Sequence, residues 1–179
     1  MLHSIILFAA ATALLFAAAH DVAVRTVPNG ISLIVAVAGL GLNAMDGQVV
    51  SALFSGGLVF AATWYCWRRG WIGGGDVKLL TACAFLVPPA SVPELVLGTA
   101  IAGGLLALLY LALARLPPGA ATLNPVGHPV GHPAGRPAGM MQRIWRVERR
   151  RIRRGLSLPY ACAIAAGAAL TLCSPVPFG

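Results

Sequence analysis

The sequence predicts an all-α integral membrane protein, a bundle of about six transmembrane helices with both termini on the non-cytoplasmic side. Three observations predict it. Of 179 residues, 58% are hydrophobic and only 10% charged, whereas soluble globular domains carry about a quarter charged residues. The apolar residues fall into runs of roughly the length that crosses a bilayer. The basic residues lie in alternate joints between those runs.

The runs are taken in order. The first covers residues 2–19. It opens "MLHSIILFAAATALLFAAAH", without the charged start of a secretory signal, and reads as a retained span. The second covers 30–45 and the third 49–67. The fourth, from 77 to about 93, is short and broken by Pro88-Pro89. The fifth, 95–114, is the clearest, and the sixth covers 156–173.

Thirteen residues are basic, twelve of them Arg. They fall at Arg25, at Arg68 and Arg69 with Lys78 adjoining, and from Arg115 to Arg154. These are the joints after the first, third and fifth runs. The joints after the second and fourth carry Asp46 and Glu94 and no basic residue. By the positive-inside rule the basic side is the cytoplasm. The excess of positive charge therefore reports topology, and no nucleic acid partner is expected.

The chain reads as a single polytopic domain over 1–179 with one long basic cytoplasmic loop at about 116–155. Its "GHPVGHPAGRPAG" has the Pro and Gly density of an extended, flexible tether. His128 and His132 lack Cys or carboxylate neighbours, and no metal is expected there. The "MMQRIWRVERRRIRRG" that follows suits a short helix lying on anionic lipid. The four cysteines, Cys66, Cys83, Cys162 and Cys173, form no C-x-x-C pair and read as small apolar residues of the spans. No cofactor is implied.

The chemistry concentrates in "WIGGGDVKLL", beginning at Trp71. Asp76 stands at the mouth of the fourth span. Asp21 stands at the end of the first, so topology puts the two carboxylates at the same membrane face. Ionisable groups at such a boundary are functional candidates. Two facing carboxylates share one proton. The ionised partner can take a proton from water while the other gives one to a carbonyl oxygen or leaving amine. That hydrolyses a peptide bond without metal. The competing reading is structural: Asp21 pairs with Arg25, and Asp76 with Lys78 or an arginine. Positions 76 and 78 do not face each other on a helix, which counts against the simplest of these pairs. Gly73 and Gly75 either leave room for a substrate strand beside Asp76 or form a plain flexible turn. His20 either tunes Asp21 or sits at the interface. Pro28 sets the turn into the second span, with Asn29 or Gly30 near its cap.

Three stretches together resemble the type IV prepilin peptidases, membrane aspartyl proteases of the GxGD class. "GGGDVK" is similar to their G-x-G-D-x-K motif, "DVAVRTVPN" from Asp21 to their first-aspartate segment, and "LPYACAIAAG" from Leu158 to their Pro-Tyr-containing last span. The resemblance implies a six-span enzyme of the bacterial inner membrane that removes the basic leader of prepilins or pseudopilins at the cytoplasmic face. It implies Asp21 and Asp76 as the catalytic pair. Gly73, Gly75, Lys78, Arg25, Pro28, Asn29, Pro159 and Tyr160 are the supporting motif positions. Arg25 and Lys78 either orient substrate or serve topology; Pro159 kinks the last span, and Tyr160 anchors it at the interface. Implied partners are the prepilin, membrane lipid and the pilus assembly machinery. Larger members carry a cytoplasmic insertion with paired cysteines, linked to N-methylation, which this chain lacks. It therefore resembles the short, peptidase-only subtype of tight-adherence (Flp-type) pili. The alternatives are a membrane scaffold or transporter subunit with Asp21 and Asp76 as structural or ion-site charges, and an intramembrane protease of other substrates. Presenilin-like proteases share GxGD but also carry a Pro-Ala-Leu motif, absent here.

Overall fold

The computed structural model describes residues 1–24, 26–115 and 160–173. Among these are six α-helices and no strand: α1 Leu2–Val24, α2 Asn29–Met45, α3 Val49–Arg68, α4 Gly74–Leu86, α5 Val92–Arg115 and α6 Tyr160–Cys173. Arg25, Pro159, the 116–155 loop with His128 and His132, and the last six residues lie outside the described residues.

Three stretches are long and apolar enough to cross a membrane: Leu2–Val24, Val49–Arg68 and Pro89–Ala112. α2 and α6 are shorter apolar helices. α4 has 13 residues, about 20 Å at 1.5 Å per residue, against a hydrocarbon core of about 30 Å. The all-α membrane architecture expected from the sequence is thus the architecture found.

Local chemistry explains where the helices stop. α1 runs through Asp21 to Val24, past the end of the apolar run. Hydropathy falls at His20, but nothing opposes helical backbone until Pro28, which disfavours it in the residue before. Pro28 is the N-cap of α2, with extended backbone (φ −60°, ψ 131°). Its carbonyl accepts the Ile31 N–H at 3.1 Å. α2 and α3 each end on a glycine in the left-handed region, Gly47 (φ 68°) and Gly70 (φ 74°). There Gln48 N–H reaches Asn43 O at 2.7 Å, and Trp71 N–H reaches Cys66 O at 3.0 Å. These wrap-back bonds satisfy carbonyls that a helix end leaves open. Pro88-Pro89 closes α4, and a 3-10 turn at Pro89–Ser91 leads into α5.

The chain divides into two compact units, Met1–Leu105 with Pro159–Gly179, and Leu106–Leu158. In the second, the described residues are the last turns of α5. In the first, α4 is central: it packs on α2, α3 and α6, while α1 packs on α2 and α6. α4 buries Val77, Leu79, Ala82, Cys83, Ala84 and Leu86. The outer helices instead expose large apolar side chains such as Phe8, Leu15, Phe54 and Leu58, a surface suited to lipid rather than water. Close approach needs small residues. A Cβ at Gly39 of α2 would run into the Phe85 main chain, and one at Gly56 of α3 into the Phe85 ring. The buried Asn43 amide fixes that contact, donating to Phe85 O at 2.8 Å and to Gly39 O at 3.0 Å.

Candidate active site

One end of the first unit gathers the end of α1, the start of α2, the end of α3 and the starts of α4 and α6. Both candidate aspartates lie there. Asp21 is in the last turn of α1 and only 7% exposed. Its Oδ2 accepts the main-chain N–H of Ala161 at 3.2 Å. Asp76 is the third residue of α4, and its Oδ2 accepts the Gly73 N–H at 3.3 Å. That is an N-terminal capping arrangement, favoured because the first turn of a helix has amides without partners.

Asp76 lies just ahead of the apolar run of α4. Its carboxyl is pushed up to about 6 from an ordinary 3.8, first by burial and then by the charge of Asp21, against a lowering from the Gly73 N–H. The charge of Asp21 therefore acts on the Asp76 carboxyl, and the two titrate as a pair.

The three glycines have different neighbours. Gly73 is the extended N-cap (φ −76°, ψ 148°), while Gly74 and Gly75 are the first residues of α4. The run is thus a cap and a helix start rather than a free turn. A Cβ on Gly73 would stand 2.9 Å from Asp76 Oδ2. One on Gly74 would stand 3.3 Å from Trp67 Nε1, and one on Gly75 3.5 Å from Val27 Cβ. Gly73 is the position where a side chain most directly disturbs the acid. Gly75 faces the α1–α2 connection.

Lys78 does not pair with Asp76. Its ammonium donates to Asn29 Oδ1 at 3.0 Å, tying α4 to the start of α2. Asn29 is the first residue of α2 and not its cap. That bond stands at the polar mouth of an open groove of about 410 Å³ between α2, α3 and α4, lined by Ser32, Ala36, Phe60, Thr81 and Phe85 among others. His20 Nδ1 meets the Thr26 carbonyl at 2.7 Å, so it holds the α1–α2 connection; with a carbonyl opposite, this nitrogen carries the proton. Arg68 and Arg69 fold back over Trp64 and Tyr65 of α3, at 5.2 and 5.0 Å from the ring centroids. Tyr160, the first residue of α6, is half-buried; a Cβ on Gly103 of α5 would come 3.2 Å from its ring. Arg25 and Pro159, the remaining motif positions, lie outside the described residues.

The group that sequence reasoning missed is the Ala161 amide. A main-chain donor has no residue type to betray it. The only signal was its place in the first turn of a helix, where amides lack partners.

The family model of the type IV leader peptidases matches residues 8–108. The match takes in α1 from its second turn, α2, α3, α4 and most of α5, with both aspartates. The chain belongs to the type IV leader peptidase family. No curated protein and no solved structure matches it.

Proposed function

We propose that this member of the type IV leader peptidase family is a two-aspartate endopeptidase of the GxGD class. It removes the basic leader of prepilin-like, Flp-type precursors at the cytoplasmic face of the bacterial inner membrane. The observation that carries the reading is the meeting of Asp21 and Asp76 at one end of the bundle, with the charge of one acting on the carboxyl of the other.

In this reading the two carboxyls share one proton, and the ionised partner acts as base. The ionised partner takes a proton from water as the oxygen attacks the scissile carbonyl. The protonated partner gives its proton to the carbonyl oxygen. Collapse of the tetrahedral intermediate returns a proton to the leaving amine, and the peptide bond breaks with no covalent enzyme intermediate. The orientation rests on the basic residues. Arg68 and Arg69 end α3 beside Trp67, whose ring abuts Gly74 next to Asp76. The end carrying the acids is thus also a basic end, which the positive-inside rule places in the cytoplasm. Only residues 25–28 join α1 to α2, which leaves no room between them for the paired-cysteine insertion of larger members. That short connection supports the reading of a peptidase without N-methyltransferase activity.

Co-expression of the chain with a tagged Flp-type prepilin tests the proposal, with leader removal read as a gel shift. The wild type is expected to cleave. Asp21→Asn and Asp76→Asn are each expected to lose at least about 10²–10⁴-fold in rate, the usual contribution of a positioned acid or base. Cleavage by either variant at the wild-type rate, with equal protein in the membrane, would sink the mechanism.

A further inference from the structure

The two carboxylates are held in different ways. Asp76 is at the start of its own helix and takes its amide donor, Gly73, three residues away. Asp21 is in the last turn of α1, where the helix offers carbonyls rather than free amides and where its dipole disfavours a negative group. A carboxylate there needs a donor from another element. α6 supplies one through the Ala161 N–H at 3.2 Å. Ala161 is fully buried and Asp21 nearly so, so the bond is shielded from water.

α6 is seated firmly enough to aim that donor. Cys162 Sγ donates to Ala18 O at 3.6 Å, one turn back along α1. Further along, Gly167 lies against Thr99 so closely that a Cβ would strike its main chain, and a Cβ on Gly98 would stand 3.4 Å from Gly167 Cα. All of α6 lies beyond the residues that match the family.

We propose that the Ala161 amide is a positioning group for catalysis: it fixes the orientation of the Asp21 carboxylate, which makes α6 a working part of the active site rather than a packing helix. The inference rests on the two-aspartate reading. It predicts that loss of one N–H, with every side chain intact, slows the chemical step and leaves substrate binding alone.

The test replaces residue 161 of the full chain by lactate, the α-hydroxy analogue of alanine, so that an ester oxygen stands where the N–H was. In the first turn of a helix this N–H has no intrahelical partner to lose. Ala161→Pro deletes the same N–H at a position where a helix tolerates proline, and serves should the ester protein not fold. As the control, a lactate ester at Ala165 removes a mid-helix N–H. Cleavage of a prepilin is followed in detergent. Either N–H deletion at 161 is expected to lower kcat about tenfold with KM within about twofold, the signature of an interaction that serves the transition state. The ester at Ala165 is expected to keep wild-type constants. Wild-type kcat in the 161 ester, a rise in KM alone, or an equal loss in the 165 ester overturns the positioning role while the peptidase reading stands. A wild type that cleaves no prepilin overturns both.

Discussion

At the scale of single residues, Asp76 depends on a glycine beside it. Gly73 keeps clear the space that Asp76 Oδ2 occupies, since a Cβ there would stand 2.9 Å from it. Gly73→Ala is expected to swing the carboxylate away from its amide and lower the cleavage rate about tenfold, roughly the worth of one hydrogen bond to a charged group. Gly75→Ala meets only ordinary contact with Val27 and is expected to stay within about twofold in the same assay; the contrast is what steric crowding of the acid requires. Lys78 and Asn29 form a second unit, linked at 3.0 Å. If that bond holds α4 against α2 and does nothing else, Lys78→Met and Asn29→Ala have equal effects on cleavage and the double variant adds nothing. A rise in KM confined to Lys78→Met would instead show the ammonium acting on substrate.

At the scale of elements, α4 carries the fold and the site together. It is short and buried on nearly every side, and its start holds Asp76 while its end is clamped by α2. The clamp is the Asn43 amide on the Phe85 carbonyl, beside the Gly39 gap. Asn43→Leu leaves that carbonyl without its side-chain partner in a buried place, a cost of about 1–3 kcal/mol. Thermal unfolding in detergent should fall by several degrees. The aspartates lie at the other end of α4, so the rate of cleavage by the folded protein should hold. A matching loss of rate in protein shown to be folded would mean that the far end of α4 sets the acid geometry.

For the whole molecule, the coupled acids make stability depend on pH in an unusual direction. Most carboxyls lose stabilisation as they are protonated; Asp76 is the reverse. Its folded value of about 6 lies above the ordinary 3.8. The native chain therefore holds a proton that the unfolded chain releases between those values. That contribution to stability is fully present near the lower value and is lost as pH rises through the upper. Melting curves of the wild type should gain on Asp76→Asn as pH falls from about 7.5 to about 5. At the upper end Asp76→Asn should melt higher than the wild type, because it removes a charge that burial, and then the charge of Asp21, disfavour. Parallel curves for the two proteins would show that Asp76 ionises as it does in water.

The sequence by itself determined the class of the protein and singled out Asp21 and Asp76 as its candidate acids. Apolar runs and the alternation of charge need no tertiary knowledge, because bilayer thickness and backbone hydrogen bonding leave helices as the economical solution. Asp21 and Asp76 stood out because carboxylates are rare in such a chain. Helix ends were less legible: α1 runs on to Val24 because dihedral preference, and not hydropathy, ends a helix. Tertiary structure alone decided partners. That Lys78 turns to Asn29, that His20 holds Thr26, and that a main-chain amide of α6 reaches Asp21 all depend on which helix ends meet in space. A backbone donor carries no mark in the residue that bears it, so only the packing of α6 on α1 could reveal it.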